Sequence, residues 1–224
     1  NQAGREGGGI AATLFADTEI RNSTVMNNLV EAHLPISLIG QRPTGYGGGL
    51  YTTRDSVTRV YDTLLWGNIA SPSDANNTGD QIAVRGGFEW TDDYRGPVGE
   101  GEPNDTGQEY SEGAARVYIQ HSDIGPSIHS GGVPGGGLGY SAWPIYEEDP
   151  SQVFGWDAEA QAWDPNTFNL SENPRLTAGF YLSHIAAGQS VDSPLIDAGS
   201  KPVDDPNILL QDYTTRTDGI SDMG

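Results

Sequence analysis

Cysteine is absent from this 224-residue chain, which excludes disulfide bridges, thiolate zinc sites and cysteine nucleophiles. Basic residues are scarce. Lysine occurs once, at Lys201, and 11 Lys+Arg stand against 31 Asp+Glu, a net charge of −20. Nucleic acids and anionic membranes are bound through basic patches that replace counterions, so neither is expected as a partner. The acidic surplus suits a solvated, self-repelling surface, and its oxygens are also the ligands that divalent cations take. Long apolar runs are missing too. No 3.6-periodic apolar stretch exceeds about two turns, which excludes a helical bundle; the best helical candidate is the short segment Leu182 to Gln189. The polar start Asn1-Gln-Ala-Gly-Arg5 has the character of neither a signal peptide nor a membrane span, and no direct membrane insertion is expected.

What is present is glycine, 31 residues, and proline, 14, between short aliphatic runs. The glycines recur in register. Gly7-Gly8-Gly9-Ile10 leads through Ile20-Arg-Asn-Ser23-Thr-Val25 to Asn28, and Gly47-Gly48-Gly49-Leu50 leads through Val60-Tyr-Asp-Thr63-Leu-Leu65 to Asn68, each position 40 residues after its counterpart. A fixed offset of this kind predicts one structural unit stacked on its copy, a solenoid. Ile119-Gln-His-Ser122-Asp-Ile124 reads as a third copy, with Ser127 standing where Asn28 and Asn68 stood. Within the unit, Ile20 and Val25 do not share strict alternation, so a bend between two short strands is needed to point both inward. The asparagines read as turn residues that tolerate left-handed backbone and can ladder, and the glycines as a tight opposite corner. His121 falls inside a predicted strand.

Forty residues exceed a plain rung of roughly 20–29, so each repeat must carry an insertion or a second rung. Residues 29–45 and 71–80 read as loops leaving one side, with Gln81-Ile82-Ala-Val84 returning as a strand. Two long insertions are expected, about 91–113 and 125–174. The first crowds Asp92, Asp93, Glu100, Glu102, Asp105 and Glu109 into one loop, an oxygen-rich set that suits calcium, although the strict Asp-x-Asp-x-Asp-Gly pattern is missing. Calcium is therefore the one cofactor the sequence raises. The second carries Trp143, Trp156 and Trp163, whose flat rings either form a carbohydrate platform or cover the side of the core. Gly131 to Gly139 is glycine-rich but lacks the Gly-Lys-Ser/Thr of a phosphate loop and reads as a plain loop.

Thr63-Leu-Leu-Trp-Gly-Asn68 followed by Gly79-Asp-Gln-Ile82, His121-Ser-Asp-Ile-Gly125 and Asp192-Ser-Pro-Leu-Ile-Asp-Ala-Gly199 resemble right-handed parallel β-helix proteins of the pectin-lyase-like superfamily. Tyr181-Leu-Ser-His-Ile-Ala-Ala-Gly-Gln189, the Asp-Ala-Gly run and Tyr213-Thr-Thr-Arg-Thr-Asp-Gly219 are similar to the C-terminal part of such domains in very large planctomycete-type bacterial surface or secreted proteins. The resemblance covers most of the chain outside 91–113 and 130–165. It implies an all-β fold, a right-handed parallel β-helix with long loop insertions, forming one domain over residues 1–224. Both ends read as cut, so a fragment of a larger protein is expected. It further implies an extracellular or cell-surface location and a non-catalytic structural or adhesive role, with self-association or other surface-protein segments as partners.

The superfamily also contains polysaccharide lyases and glycosidases, which makes a polysaccharide enzyme or a glycan-binding module the alternative. Their residues are not found as a set. Asp92-Asp93 and Asp204-Asp205 occur without the Gly-His-Gly and Arg-Ile-Lys partners of the polygalacturonase-like pattern, and Arg95-Gly-Pro97 lacks the second arginine of the pectate-lyase signature. A lyase would need an Arg or Lys base beside calcium; Arg21, Arg59 and Arg116 lie near the strand pattern and read more simply as surface-pair residues. His33, His121, His129 and His184 have no metal-like spacing. No catalytic residue is assigned.

Overall fold

The computed structural model describes residues 1–3, 7–31, 46–53, 56–71, 79–85, 88–89, 111–112, 115–126, 138–141, 153–157, 160 and 162–200. These form a nearly all-β structure of short parallel strands in stacked sheets. The first repeat contributes β2 (Ile10–Ala12), β3 (Asp17–Arg21), β4 (Thr24–Met26) and β5 (Leu29–Glu31), after β1 (Gln2–Ala3). The second contributes β6 (Leu50–Thr52), β7 (Val57–Tyr61), β8 (Leu64–Trp66) and β9 (Ile69–Ser71). Consecutive strands of one repeat go to different sheets, and each pairs in parallel with its copy: Ile10 with Leu50, Ile20 with Val60, Val25 with Leu65 and Leu29 with Ile69. The 40-residue echo is thus a hydrogen-bonding register.

Later strands extend the same sheets. β10 (Ile82–Arg85), β13 (Arg116–Gln120) and β14 (Asp123–Ile124) lie on the second repeat, and β15 (Leu138–Ser141) and β16 (Val153–Phe154) lie on β10 and β13. The resulting orders are β1-β5-β9, β15-β10-β6-β2, β16-β13-β7-β3 and β14-β8-β4. Antiparallel pairing joins β11 (Phe88–Glu89) to β12 (Ser111–Glu112), and β17 (Trp156–Asp157) to β18 (Ala162–Trp163). The expected excursion over 125–174 therefore needs correction: its strands β15 and β16 continue two of the sheets.

The bend expected between Ile20 and Val25 is real. Asn22, Asp62 and His121 occupy equivalent corners at φ 44°, 48° and 47°, and a single left-handed residue re-aims the chain so that apolar side chains on both sides of it point inward. His121 is consequently a corner residue, not a strand residue. The second corner also differs from expectation, because the left-handed positions are Asn27 and Gly67, at φ 52° and 64°, one residue before the predicted asparagines. Asn28 and Asn68 are buried instead. Their amides ladder: Asn28 Nδ2 donates to Asn68 Oδ1 at 2.9 Å, and Asn68 Nδ2 donates to Gln81 Oε1 at 2.7 Å and to the Val25 carbonyl at 2.8 Å. The glycine corner is tight. A Cβ on Gly48 would stand 2.5 Å from both the Asp80 carbonyl oxygen and the Ile69 nitrogen, closer than any side chain is tolerated.

Ile20, Val25, Leu50, Val60, Leu65 and Ile119 belong to one apolar cluster between the sheets. Residues 170–200 have little regular structure. The expected helix over Leu182 to Gln189 shrinks to a 3-10 turn, Ile185–Ala187, capped by His184 and Gly188. This segment lies against the outer face of β4-β8-β14, where Leu195 is buried with Leu64 beside Met26, Trp66, Leu176 and Leu182.

Candidate functional site

The acidic positions Asp92, Asp93, Glu100, Glu102 and Asp105, together with Trp143, lie outside the described residues. Among the described residues, no group of three or more His, Cys, Asp or Glu side chains is placed to hold a metal ion. None of their helices is long and apolar enough to cross a membrane.

Trp156 and Trp163 are described, and they face each other across the β17-β18 hairpin. Their rings meet edge to face, 5.0 Å apart at 73°, and both pack, partly buried, against the main core cluster. The Trp163 indole N–H donates to Ser171 Oγ at 3.0 Å. Gly155, just before Trp156, sits close to the core: a Cβ there would lie 3.0 Å from the Ile119 carbonyl oxygen, and its φ of 101° is glycine territory.

The outward face of β3-β7-β13-β16 gathers the polar and aromatic side chains whose spacing the sequence left undecided. Parallel register places Glu19, Arg59, Tyr118 and Phe154 in one row, and Arg21, Tyr61 and Gln120 in another. Arg59 pairs with Asp17 and Arg21 pairs with Glu19, so both arginines act as the surface-pair residues expected of them. The Arg21 hydrogen bond holds the Glu19 carboxyl below its ordinary value. Arg21 also sits over the Tyr61 ring, 4.3 Å from its centroid. Tyr118 and Phe154 stack at 4.3 Å with rings 7° from parallel, and His121 stacks on Phe168 at 4.9 Å. Arg116 is exposed on this sheet without an ion pair to another described residue.

One ionisable residue escaped the sequence reading. Asp123 occupies the position held by Leu64 in the preceding repeat, and it is wholly buried. Its Oδ1 accepts the Glu172 backbone N–H at 3.0 Å, while Oδ2 has no partner among the described residues. Burial pushes its carboxyl up to about 7, against the opposing pull of the Glu172 N–H bond, with the nearby Glu172 charge adding to the rise. The available signal was a carboxylate in a repeat position filled elsewhere by Thr24 and Leu64. Asp62, also buried, is tied to the last of the described residues: Ser200 donates to it through N–H at 2.5 Å and Oγ–H at 2.6 Å.

The arrangement can bind, stack and shield: Arg21 and Arg59 are held in ion pairs, and Arg116 stands exposed. Compared with family models, curated proteins and solved structures, the chain finds no match.

Proposed function

We propose that this chain is a non-catalytic structural or adhesive module of an extracellular or cell-surface protein, built as a right-handed parallel β-helix of the pectin-lyase-like kind. The observation that carries the reading is the parallel pairing of four successive strands with their copies at one constant offset. Each repeat then contacts chiefly the one before and the one after, which gives a stiff rod rather than a closed catalytic cup. Buried polar side chains support the same role. Asn28, Asn68, Gln81, Ser122 and Asn169 direct their hydrogen bonds to backbone and to one another, as scaffold parts do. The rod's partners are further copies of itself or other surface-protein segments, and calcium bound by the acidic loop 91–113 is an adjunct of that display.

A glycan-binding reading is favoured by one observation, the parallel Tyr118–Phe154 stack beside exposed Arg116 on the outward face. The test separates the readings. Sedimentation and negative-stain imaging of the purified chain should give rods or end-to-end assemblies, and incubation with uronic-acid polysaccharides, with and without calcium, should release no unsaturated or reducing ends. Product formation sinks the non-catalytic reading; saturable glycan binding without turnover moves the assignment to the second.

A further inference from the structure

Residues 170–200 cross the outer face of β4-β8-β14 with few regular hydrogen bonds of their own, and two buried carboxylates fasten them. Near the start, the Glu172 N–H is held by Asp123 Oδ1; at the end, Ser200 is held by both oxygens of Asp62. Between these points Leu195 is fully buried on Leu64. The two fastenings are unlike. Asp62 has both oxygens engaged, whereas Asp123 is sealed from solvent with Oδ2 unpartnered among the described residues. A buried carboxylate with one oxygen unmatched is tolerated far better neutral than charged.

We propose that residues 171–200 are a pH-gated cover, closed over the β4-β8-β14 face while the Asp123 carboxyl keeps its proton and loosened when that proton leaves. The titratable and charged groups on the surrounding elements are Asp62 and His121 at the neighbouring corners and Glu172, Arg175, Tyr181, His184, Asp192 and Asp197 on the cover. Of these, Glu172 is the one that acts on Asp123, in two opposed senses: its backbone N–H favours the ionised form and its charge the protonated form, while burial, the largest influence, favours the protonated form. The Arg175 guanidinium is turned to the Asp192 carbonyl. Among the described residues, neither the wall nor the cover sets a cation against the Asp123 carboxylate, so the Glu172 N–H alone offsets ionisation in the closed state, and burial outweighs it. In the open state Asp123 faces water and titrates near the ordinary value of about 4. The sign follows: the closed form binds the proton more tightly, so the cover is firmest below about pH 4, weakens as pH rises toward 7, and changes no further above it. Opening bares Met26, Leu64 and Trp66, an apolar strip on the side of the stack. Short, weakly laddered segments of this kind are the ones that open locally without global unfolding.

Backbone hydrogen exchange of the full chain tests this, with each rate divided by the intrinsic rate at its pH. Between pH 5 and 7 the protection of the Glu172, Ser183 and Ser193 amides should fall about tenfold per pH unit and then level, while Val60 and Ile119 in the sheets keep theirs. Asp123→Asn should hold the cover closed with a flat profile; Asp123→Leu, which installs the residue found at the equivalent Leu64, removes the acceptor of the Glu172 N–H and is read at Ser183 and Ser193 alone, where the profile should be flat even if overall protection is lower, and it serves if the first variant folds poorly. Asp62→Asn should leave the pH dependence in place. A flat wild-type profile overturns the proposal, as does a fall shared equally by the sheet amides or retained in both Asp123 variants.

Discussion

Replacing Asn68 by alanine removes the middle of the buried amide ladder, and its cost can be worked bond by bond. The side chain is fully buried. It donates to the Val25 carbonyl at 2.8 Å and to Gln81 Oε1 at 2.7 Å, and its Oδ1 accepts from the Asn28 backbone N–H at 3.0 Å and from Asn28 Nδ2 at 2.9 Å. After truncation Gln81 Oε1 keeps the Asn68 backbone N–H, but the two Asn28 donors lose the acceptor they share. Each buried donor left unmatched costs about 1–3 kcal/mol. Two such orphans, plus the packing lost with the amide, bring the expected destabilisation to roughly 3–6 kcal/mol, a large share of a typical 5–15 kcal/mol total. Urea unfolding followed by circular dichroism measures it as a shift in midpoint at constant slope. The reference is Gln2→Ala, whose bond to Glu31 is exposed and whose loss should stay within about 0.5 kcal/mol. A cost for Asn68→Ala no greater than that of Gln2→Ala refutes the reasoning, because it means the ladder contributes nothing that water does not replace.

Gly48→Ala must push apart backbones that already meet the added carbon at 2.5 Å, a cost of about 1–3 kcal/mol that calorimetry reads as a fall of several degrees in Tm. Trp163→Phe keeps a ring against the core but removes the indole donor to Ser171 Oγ, which keeps its own bond to the Ile124 carbonyl; a loss of about 1 kcal/mol and a weakened near-ultraviolet signal from the Trp pair are expected in the same melts. Asp62→Ala removes both bonds to Ser200 and a residue that accepts φ 48°, so exchange at the Ser200 amide should rise at least tenfold and the global midpoint fall by about 1–2 kcal/mol equivalent. An unchanged Ser200 amide counts against the role given to Asp62.

The repeat was legible because it imposes the same demand twice: glycine where backbones touch, an aliphatic on each side of a corner, an amide at the end. The corner itself was placed one residue late at Asn28, since Asn27 and Asn28 are chemically alike and only the backbone decides which turns and which is buried. His121 was misread for a related reason. Its neighbours alternate like a strand, and nothing local reveals that its copies Asn22 and Asp62 are corners until the register is known. The repeat's third copy of the glycine corner was hidden because only Gly79 is retained, with Asp80 and Gln81 in place of the next two glycines, and Gln81 supplying the ladder amide from a different position. Asp123 and the cover over it were not legible at all. Burial of that carboxylate comes from residues 170–200 folding back across the face, a long-range contact with no periodic trace in the chain.

The constant register has a mechanical corollary. In a stack where every repeat is zipped to the next by parallel strands, pulling on the chain ends loads the outermost repeat first, and it must peel before its neighbour feels the strain. Each peeled repeat of 40 residues would release roughly 130–145 Å of extended chain. In the proposed stack, separating the first repeat from the second would break the buried Asn28–Asn68 amide bonds along with the four parallel strand pairs.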